Sequence, residues 1–505
     1  MENNFKYCLN EKIEKWFCFI ILVGLGIFLV SQSSLMPLTI DGHISTDTSV
    51  WLQVSREMLN GKMIYRDLFD HKGPVLFLLF SLFSRFGDVT GILLMKCLFL
   101  TITIVLCYKC AITVASSRIV ATYVTILTVW GISFFFEEDF SVEEMSLPFM
   151  FGALLIFLSY FLNKERVIKK YKLVLLGICM GTVLGLRPNM IALWICFALL
   201  VILEKIYYKR YKELIQYITF FLLGFLGSLC IVAVWLSVHG ALQAWWNDGF
   251  LFNFLYAGEV DYQTRKKIFM LFLKHKIHFI SLCLNVVFIF RGKHERIVYV
   301  ANLLYMFLNL ILMSMSGMNY AHYRIALIPG YVLPLAEGGQ RMWDYFGKYM
   351  SGKKRAYRFV LATLCLCVIL GKNCYKGLLR IEDNVHISDS ERSVLKLTEY
   401  TKQKTLGDNR ITILGNSCYI YLETGCYSAT DFLYTYPVCN ISEKLAEKFI
   451  RQLKEAQPLI IILEKSCFEE KSKYGMECKE ILEKYYHRVI DNENYELYER
   501  SSDVI

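Results

Sequence analysis

The chain alternates long apolar runs with short clusters of lysine and arginine. Of its 505 residues, 55% are hydrophobic, and the mean hydropathy of +0.40 is above the range of soluble globular proteins. The formal net charge of +10 is spread over the clusters between the apolar runs, as in the cytoplasmic loops of membrane proteins. The sequence therefore predicts a polytopic α-helical membrane protein, and its basic charge does not indicate a nucleic-acid partner.

The apolar runs place about eleven transmembrane helices in the chain. The first run follows Lys6, Lys12 and Lys15 and lacks a small-residue cleavage site, so we expect an uncleaved span with a cytoplasmic N-terminus. In this orientation every strong basic cluster between spans lies inside, and the multi-pass protein is expected in the plasma membrane. The predicted spans are residues 16–36, 90–108, 118–136, 145–162, 172–186, 189–204, 214–238, 277–290, 297–314, 325–337 and 357–372.

The same topology divides the chain into two predicted domains. Residues 1–372 form a transmembrane module whose first external loop runs from about 37 to 89. Residues 373–505 have the composition of a soluble domain, and they are expected to form an extracytoplasmic α/β domain. The elements predicted for that domain are strands at 411–416, 458–464 and 495–498, and helices at 391–404, 443–456 and 477–486.

The first external loop begins with a polar insert that runs from Asp41 to Phe80. A helix is expected from Asp47 or Thr48 to about Asn60, because Asp or Thr can cap its start and Asn60 is followed by a glycine. A helix of this length cannot span a bilayer, so it is expected to lie on the membrane surface. The apolar segment 75–84 is too short to cross comfortably and is expected to be half inserted.

Carboxylates from two external loops are candidates for a general-base site at the membrane surface. The first loop carries Asp41, Asp47, Asp67 and Asp70, and the second carries Glu143 and Glu144 together with the acids at 137–139. The acids at 137–139 are interpreted as solvated loop residues.

Three cationic or titratable residues are candidates for binding a ligand. Lys72 stands where the chain re-enters the apolar phase, which suits either a cation that holds a lipid-linked phosphate or a snorkelling lysine. Arg187 lies between two spans that are otherwise uncharged, where an arginine is costly unless it is paired or binds an anion. His322, next to Tyr323, lies at an outer helix end, and both a structural hydrogen bond and a binding role are open for it.

The 17 cysteines give no metal-site pattern. Many lie inside apolar runs, and the only CxxC, Cys107 to Cys110, has no second pair or histidine at ligand spacing. The sequence predicts no structural zinc.

The run TDTSVWLQVSREMLNGKMIYRDLFDHKGPVLFLLF resembles the first external loop of the GT-C membrane glycosyltransferases. The likeness is to the family-39 type, which includes protein O-mannosyltransferases and lipid A aminoarabinose transferases. The positions of the family motifs are occupied here by Asp47, by Tyr65 and by two short segments. The first segment is REML (residues 56–59), which is followed by Gly61, and the second is HKGP (residues 71–74), which contains Lys72. FSVEEMSLPF and HYRIALIP are similar to later motifs of bacterial relatives. Gly73 departs from the family pattern, which has a proline there.

The resemblance implies a GT-C fold and an inverting transfer of a hexose or pentose. The donor would be a polyprenyl-phosphate-linked sugar, and the acceptor a hydroxyl of an envelope glycan, lipid or protein. Asp47 would be the general base, paired with Glu143 or Glu144, while Lys72 and Arg187 would stabilise the leaving phosphate. Tyr65, His322 and Tyr323 are further substrate-binding candidates. No cofactor or metal is predicted, although the acids are suitable ligands for a divalent ion.

Two alternative functions remain open from the sequence. A transporter or flippase of lipid-linked saccharides should carry ionisable residues near mid-membrane, whereas this chain concentrates its candidate charges at one surface. A non-catalytic scaffold of envelope synthesis is the other alternative.

Overall fold

A computed structural model of the chain describes residues 2–36, 44–258, 260–349, 354–385 and 389–501. Asp41, at the start of the predicted polar insert, lies outside these residues. The described chain is mostly helical, with a small sheet near its C-terminal end. Up to residue 383 the α-helices are Glu2–Ser31, Thr46–Leu59, Pro74–Ser84, Asp88–Val114, Arg118–Val129, Gly131–Phe134, Val142–Leu162, Lys170–Leu186, Ala192–Tyr207, Tyr211–Val238, Leu242–Ala244, Phe252–Gly258, Tyr262–Lys274, Lys276–Arg291, Arg296–Ser314, Val332–Tyr349 and Lys354–Asp383.

Shorter helical segments and a C-terminal group of helices complete the helical part. Two 3₁₀ segments, Pro188–Met190 and His322–Tyr331, and a π-helical segment, Trp245–Leu251, interrupt the α-helices. The later α-helices are Asp389–Lys404, Tyr419–Thr424, Val438–Ile441, Glu443–Ala456 and Lys473–Tyr485.

The chain divides into two compact units, each built from three segments. The first unit comprises Met1–Ser33, Leu94–Val234 and Ala257–Ile381. The second unit comprises Ser34–Leu93, Trp235–Tyr256 and Glu382–Ile505. The predicted domain boundary between 372 and 373 falls inside the helix Lys354–Asp383.

The protein is a multi-pass membrane protein. Within the described residues, five helices are long and apolar enough to cross a membrane, and a sixth span results if the bent pair Tyr262–Lys274 and Lys276–Arg291 counts as one. The other predicted spans coincide with helices that are shorter or carry more charge, so the predicted count of about eleven stays a prediction. The five helices are Lys12–Ser31, Asp88–Val114, Val142–Leu162, Tyr211–Val238 and Arg296–Ser314.

Glycines let two helices of the first unit approach each other closely. A Cβ atom at Gly177, in helix Lys170–Leu186, would lie 2.1 Å from the carbonyl oxygen of Phe221 in helix Tyr211–Val238. A Cβ atom at Gly224 would lie 2.0 Å from the carbonyl oxygen of Val174. Small residues at such a crossing are typical of membrane helix pairs, because without side chains between them the backbones can pack directly.

The sheet of the second unit has five strands in the order β2-β1-β3-β5-β4. The strand β1 pairs in parallel with β2 and β3, whereas β5 runs antiparallel to β3 and β4. In register, Ile411 faces Ile460 and Ile462 faces Leu497. The strands are β1 (Arg410–Leu414), β2 (Tyr427–Ser428), β3 (Ile460–Glu464), β4 (Tyr486–Asp491) and β5 (Tyr495–Arg500).

The C-terminal segment contains the small sheet that the sequence predicted, with two strands that the sequence did not indicate, and the domain bounds 373–505 stay a prediction. The continuous apolar runs of β1 and β3 form the buried centre of the sheet, as expected of parallel strands. The edge strand β4 is largely polar and exposed, and it begins at Tyr486, where the sequence predicted the end of a helix. The edge strand β2 has only two residues, which is too short for an alternating pattern to be recognised.

The first-loop helix is packed inside the second unit. It spans Thr46–Leu59, and its N-cap is Ser45 rather than Asp47 or Thr48, so Asp47 lies in the first turn. Both its apolar and its polar side chains are buried: Trp51 and Glu57 are each 1% exposed. Glu57 Oε1 accepts a hydrogen bond of 2.8 Å from the Ser428 backbone N–H. The helix that looked amphipathic in sequence therefore has its polar side covered by the C-terminal segment.

Candidate functional site

An acid and a lysine from the two ends of the polar insert meet in the second unit. Asp47 Oδ2 lies 3.7 Å from Lys72 Nζ, and the two side chains are 32% and 22% exposed. Asp47 is held by the first turn of helix Thr46–Leu59, and Lys72 lies just before the helix Pro74–Ser84. Both charges are therefore fixed by helix starts yet remain accessible to a ligand. We name the residues around this pair the first-loop cluster: Asp47, Tyr65, Asp70, His71, Lys72 and Tyr434.

Buried side chains hold the backbone of Lys72. The Tyr65 hydroxyl donates a hydrogen bond of 2.6 Å to the Lys72 carbonyl, and Asp70 Oδ1 accepts one of 2.8 Å from the Lys72 N–H. Tyr65 is 2% exposed and has a φ of 68°. A non-glycine residue keeps such a conformation only where its surroundings impose it. The loop around Lys72 is thus held in one arrangement before any ligand binds.

Asp70 is a buried acid beside Lys72. It is 1% exposed, and burial raises its pKa to about 6, with the nearby charge of Asp47 adding to the shift and Lys72 opposing it. Burial, together with the Asp70 charge, also raises the pKa of Tyr65 and of Tyr434 well above the ordinary value. The two tyrosines therefore stay neutral and act as hydrogen-bonding groups.

The C-terminal segment contributes to this cluster. The Tyr434 hydroxyl lies 3.2 Å from His71 Nδ1, and the Phe69 N–H donates a 2.8 Å hydrogen bond to the Asp431 carbonyl. The Phe69 and Phe432 rings stack with centroids 5.3 Å apart. Residues more than 360 positions later in the chain thus fix the segment that carries Lys72.

A second group of charges lies in the first unit, where three helical segments begin or end. We name it the helix-end cluster. Helix Val142–Leu162 starts there with the Ser141 hydroxyl accepting from the Glu144 N–H at 3.1 Å, and helix Lys170–Leu186 ends at Arg187. The residues of the cluster are Lys96, Glu137, Asp139, Glu143, Glu144, Arg187, His322 and Tyr323.

Glu143 and Arg187 form a direct ion pair. The Glu143 side chain is 3% exposed and the Arg187 side chain 16%, so most of the pair is removed from solvent. The Arg187 guanidinium carbon lies 4.0 Å from the centroid of the Tyr323 ring, which is a cation–π contact. Arg187 is therefore paired, which is one of the two states that the sequence argument left open.

Glu144 pairs with a different cation. Its Oε1 lies 3.7 Å from the Nζ of Lys96, whose side chain is 1% exposed. Lys96 also donates to the Asp139 carbonyl, and Asp139 Oδ1 accepts from the Ser33 hydroxyl at 3.0 Å. Asp139 is 3% exposed, so its interpretation as a solvated acid is wrong. The Ser33 hydroxyl hydrogen-bonds the buried Asp139 carboxylate, while Lys96 bonds its backbone carbonyl.

His322 bonds to an acid of the second loop. Its Nδ1 lies 2.8 Å from Glu137 Oε2, which also accepts the backbone N–H of Ala321 at 2.6 Å. Burial alone would raise the pKa of Glu137, but the hydrogen bond and charge of His322 and the backbone donors outweigh it and lower that pKa. Glu137 is thus a hydrogen-bond partner of His322 and not a simple solvated residue. The Tyr320 ring stacks on His322 with centroids 5.4 Å apart.

The predicted site residues fall into both clusters. Asp47, Tyr65 and Lys72 come together in the first-loop cluster. Four further predicted residues are in the helix-end cluster with Arg187: Glu143, Glu144, His322 and Tyr323. Among the described residues no group of three or more His, Cys, Asp or Glu side chains has a metal-binding arrangement.

The sequence indicates Asp70 as one of the first-loop carboxylates, but sequence reasoning misses two other contributors to the clusters. Lys96 gives a weaker signal, as one lysine inside an apolar run. Tyr434 gives none, because its proximity to His71 depends on tertiary structure alone.

One protein-family model matches most of the chain. It is described as "Putative competence-induced protein Ccs4 N-terminal domain", and it matches residues 11–382. No curated protein matches the chain.

Two solved structures of ArnT from Cupriavidus metallidurans share the fold. The structure bound to undecaprenyl phosphate aligns with a TM-score of 0.58 at 12% identity, over 96% of this chain and 98% of that one. The apo structure aligns with a TM-score of 0.59 at 13% identity, over 96% and 97%. At this identity the similarity concerns the fold, and the GT-C fold predicted from the sequence is confirmed.

Proposed function

The chain belongs to the Ccs4 N-terminal domain family and has the GT-C fold of ArnT, and from these premises we propose that it is a membrane glycosyltransferase. The donor is a sugar linked to a polyprenyl phosphate, and the acceptor is a hydroxyl group of the cell envelope. One observation carries this proposal. A carboxylate and an ammonium group 3.7 Å apart, both partly exposed, lie on a loop that buried side chains hold in place.

The proposed reaction is an inverting displacement at the anomeric carbon. Asp47 accepts the proton of the acceptor hydroxyl while that oxygen forms the new glycosidic bond. The bond between the anomeric carbon and the phosphate oxygen breaks, and its electron pair leaves with the polyprenyl phosphate. Lys72 stabilises the charge that grows on this leaving group. A fixed cation interacts more strongly with the partly negative leaving oxygen of the transition state than with the neutral ester oxygen of the bound donor.

Arg187 is the second proposed cation for the phosphate. In the structure its charge is balanced by Glu143, so binding a phosphate requires the anion to share or replace that partner. Tyr323 contributes by holding the guanidinium plane, and Tyr65 by fixing the Lys72 backbone. We further propose that His322 takes part in substrate binding together with Glu137.

The proposed orientation places the first loop and the C-terminal α/β domain outside the plasma membrane and the N-terminus inside. The basic clusters between the predicted spans support it. An alkaline phosphatase fused after residue 505 tests it, because that enzyme needs the disulfides of an oxidising compartment. An active fusion is expected, and an inactive fusion in an otherwise stable protein would reverse the orientation.

Sugar transfer by purified, reconstituted protein is the direct test of the function. A panel of radiolabelled polyprenyl-phosphate sugars is offered with an envelope extract as acceptor, and wild type is compared with Asp47→Asn. Loss of a general base is expected to lower the rate by on the order of 10² to 10⁴. Asp88→Asn is the matched control, because Asp88 is an acid of the same unit with a side chain 49% exposed.

Each outcome decides between the candidate functions. Transfer that is lost in Asp47→Asn and kept in Asp88→Asn supports the mechanism. Equal rates of sugar transfer in wild type and Asp47→Asn would show that Asp47 has no part in the mechanism. If no donor is used but lipid-linked sugar crosses the bilayer, the protein is a flippase.

A further inference from the structure

An apolar groove of about 370 Å³ lies between three helices of the first unit. Its walls come from helices Asp88–Val114, Val142–Leu162 and Lys170–Leu186. Only one end is polar, where Ser159, Tyr171 and Lys172 border the groove. Most of the remaining wall is aliphatic or aromatic, with Phe99, Ile102, Leu106, Phe149, Leu155 and Leu175 among its residues.

The polar end of the groove is far from the residues proposed for the reaction. None of the residues proposed for acid–base chemistry or phosphate binding lines the groove. Along helix Val142–Leu162, Ser159 at the polar end is sixteen residues from Glu143, which corresponds to about 24 Å. A lipid whose phosphate lies at this end is therefore not the sugar donor in its reactive position.

An apolar groove between membrane helices favours a hydrocarbon chain. Water gains few hydrogen bonds there, since the wall offers almost no polar atoms. A lipid chain can fill the groove while its headgroup stays at the end where Lys172 stands. The lysine gives that end a positive charge, and the start of helix Lys170–Leu186 adds the positive end of its dipole.

Lys172 lines the groove, whereas the neighbouring cations Arg166 and Lys170 make other contacts. Arg166 is already paired with Glu204 at 2.9 Å, and Lys170 lies over the Phe220 ring at 5.3 Å from its centroid. Lys172 is the lysine among them that lines the groove. We propose that the groove binds an anionic glycerophospholipid, with one acyl chain between the helices and the phosphate at Lys172.

Gly152 allows the groove to be closed by a single substitution. A Cβ atom at Gly152 would lie 3.8 Å from Leu106 Cδ1 and 4.0 Å from Cys179 Sγ, both on the groove wall. These are ordinary contact distances, so a larger side chain projects into the groove without a backbone clash. Gly152→Leu thus occupies the space proposed for the acyl chain. Gly227, with nothing within 4 Å of its Cβ position, provides the matched control Gly227→Leu.

The test measures lipid retained by the purified full-length protein by native mass spectrometry. Phosphatidylglycerol and phosphatidylcholine with identical chains are offered at equal concentration, and in a second experiment phosphatidylglycerol competes with an equal concentration of undecaprenyl phosphate. Wild type is expected to retain phosphatidylglycerol about fivefold better than phosphatidylcholine, the preference one lysine supplies. Lys172→Gln is expected to remove this preference and Lys170→Gln to keep it. Gly152→Leu is expected to lose both lipids, and Gly227→Leu to bind as wild type does.

Several results would overturn the proposal. These are equal retention of the two phospholipids by wild type, unchanged retention in Gly152→Leu, or undecaprenyl phosphate displacing phosphatidylglycerol at equal concentration. If Gly152→Leu does not fold, Ser159→Leu narrows the groove from its polar end and is judged by the same criteria. The readout is lipid binding and not sugar transfer, so the result is independent of the proposed enzymatic activity.

Discussion

The two charged clusters hold their acid–base pairs differently. In the first-loop cluster Asp47 and Lys72 are 3.7 Å apart with side chains 32% and 22% exposed. In the helix-end cluster Glu143 and Arg187 are in direct contact, and their side chains are 3% and 16% exposed. Removing a charge from water costs free energy that only a close partner recovers. The buried pair therefore depends on its partner for stability, whereas the open pair keeps solvent-facing charge that a substrate can meet.

Breaking the buried pair is expected to have the largest effect on stability. Arg187→Gln leaves the Glu143 carboxylate buried without its cation, which costs about 3–5 kcal/mol in the free energy of unfolding. Denaturant unfolding of the detergent-solubilised protein measures this loss. The double variant Arg187→Gln with Glu143→Gln should recover most of it, because no charge then remains buried. An Arg187→Gln protein as stable as wild type would show that the pair is more hydrated than its exposure indicates.

The buried acid of the first-loop cluster predicts a pH dependence. The pKa of Asp70 is about 6 in the folded protein against an ordinary value of 3.8. Between these values the folded state binds more protons than the unfolded state, so the free energy of unfolding falls as pH rises from about 4 to about 6 and then levels off. The expected loss is on the order of 2–3 kcal/mol. Unfolding curves across this range should lose that slope in Asp70→Asn, and a slope that persists would place its origin in other groups.

The contact from the C-terminal segment predicts a smaller loss of stability with a distinct effect on activity. Tyr434→Phe removes the hydroxyl that lies 3.2 Å from His71 Nδ1, which is expected to cost about 1 kcal/mol. Tyr421→Phe is the matched control, because its buried hydroxyl accepts from the Ile413 N–H at 3.3 Å. Sugar transfer should fall in Tyr434→Phe alone, because of the two hydroxyls it is that of Tyr434 that contacts the segment carrying Lys72. Equal transfer in the two variants would limit Tyr434 to a stabilising role.

Much of the fold could be predicted because the membrane imposes simple rules on the sequence. Long apolar helices and the buried strands β1 and β3 have patterns that length and hydrophobicity reveal. The number of transmembrane spans is harder to predict, because several helices are short or carry charges, and hydropathy alone does not decide whether such a helix crosses the membrane. The sequence pattern does not indicate the strand β4, since a polar edge strand has no apolar alternation.

The site could be predicted only where local sequence fixes it. Asp47 and Lys72 stand at helix starts, and the structure brings them within 3.7 Å of each other, while their roles stay a prediction. The alternative between Glu143 and Glu144 could not be resolved, because consecutive helical residues point in directions 100° apart and tertiary structure decides which cation each meets. In the structure Glu143 meets Arg187, and Glu144 meets Lys96. Tyr434 depends on a contact across more than 360 residues, which no local pattern encodes.

The open pair predicts the smallest effect on stability. Lys72→Gln removes a partly exposed ion pair, and such pairs contribute about 0–1 kcal/mol, so its unfolding curve should nearly overlay that of wild type. Lys62→Gln is the contrasting variant within the same unit, because Lys62 Nζ lies 2.9 Å from Glu57, whose side chain is 1% exposed. Lys62→Gln should therefore lose more stability than Lys72→Gln. Sugar transfer should rank them the other way, since Lys72 and not Lys62 is proposed to meet the phosphate. A Lys72→Gln protein that unfolds as readily as Lys62→Gln would mean that the open pair supports the fold, and the distinction between the two clusters would then fail.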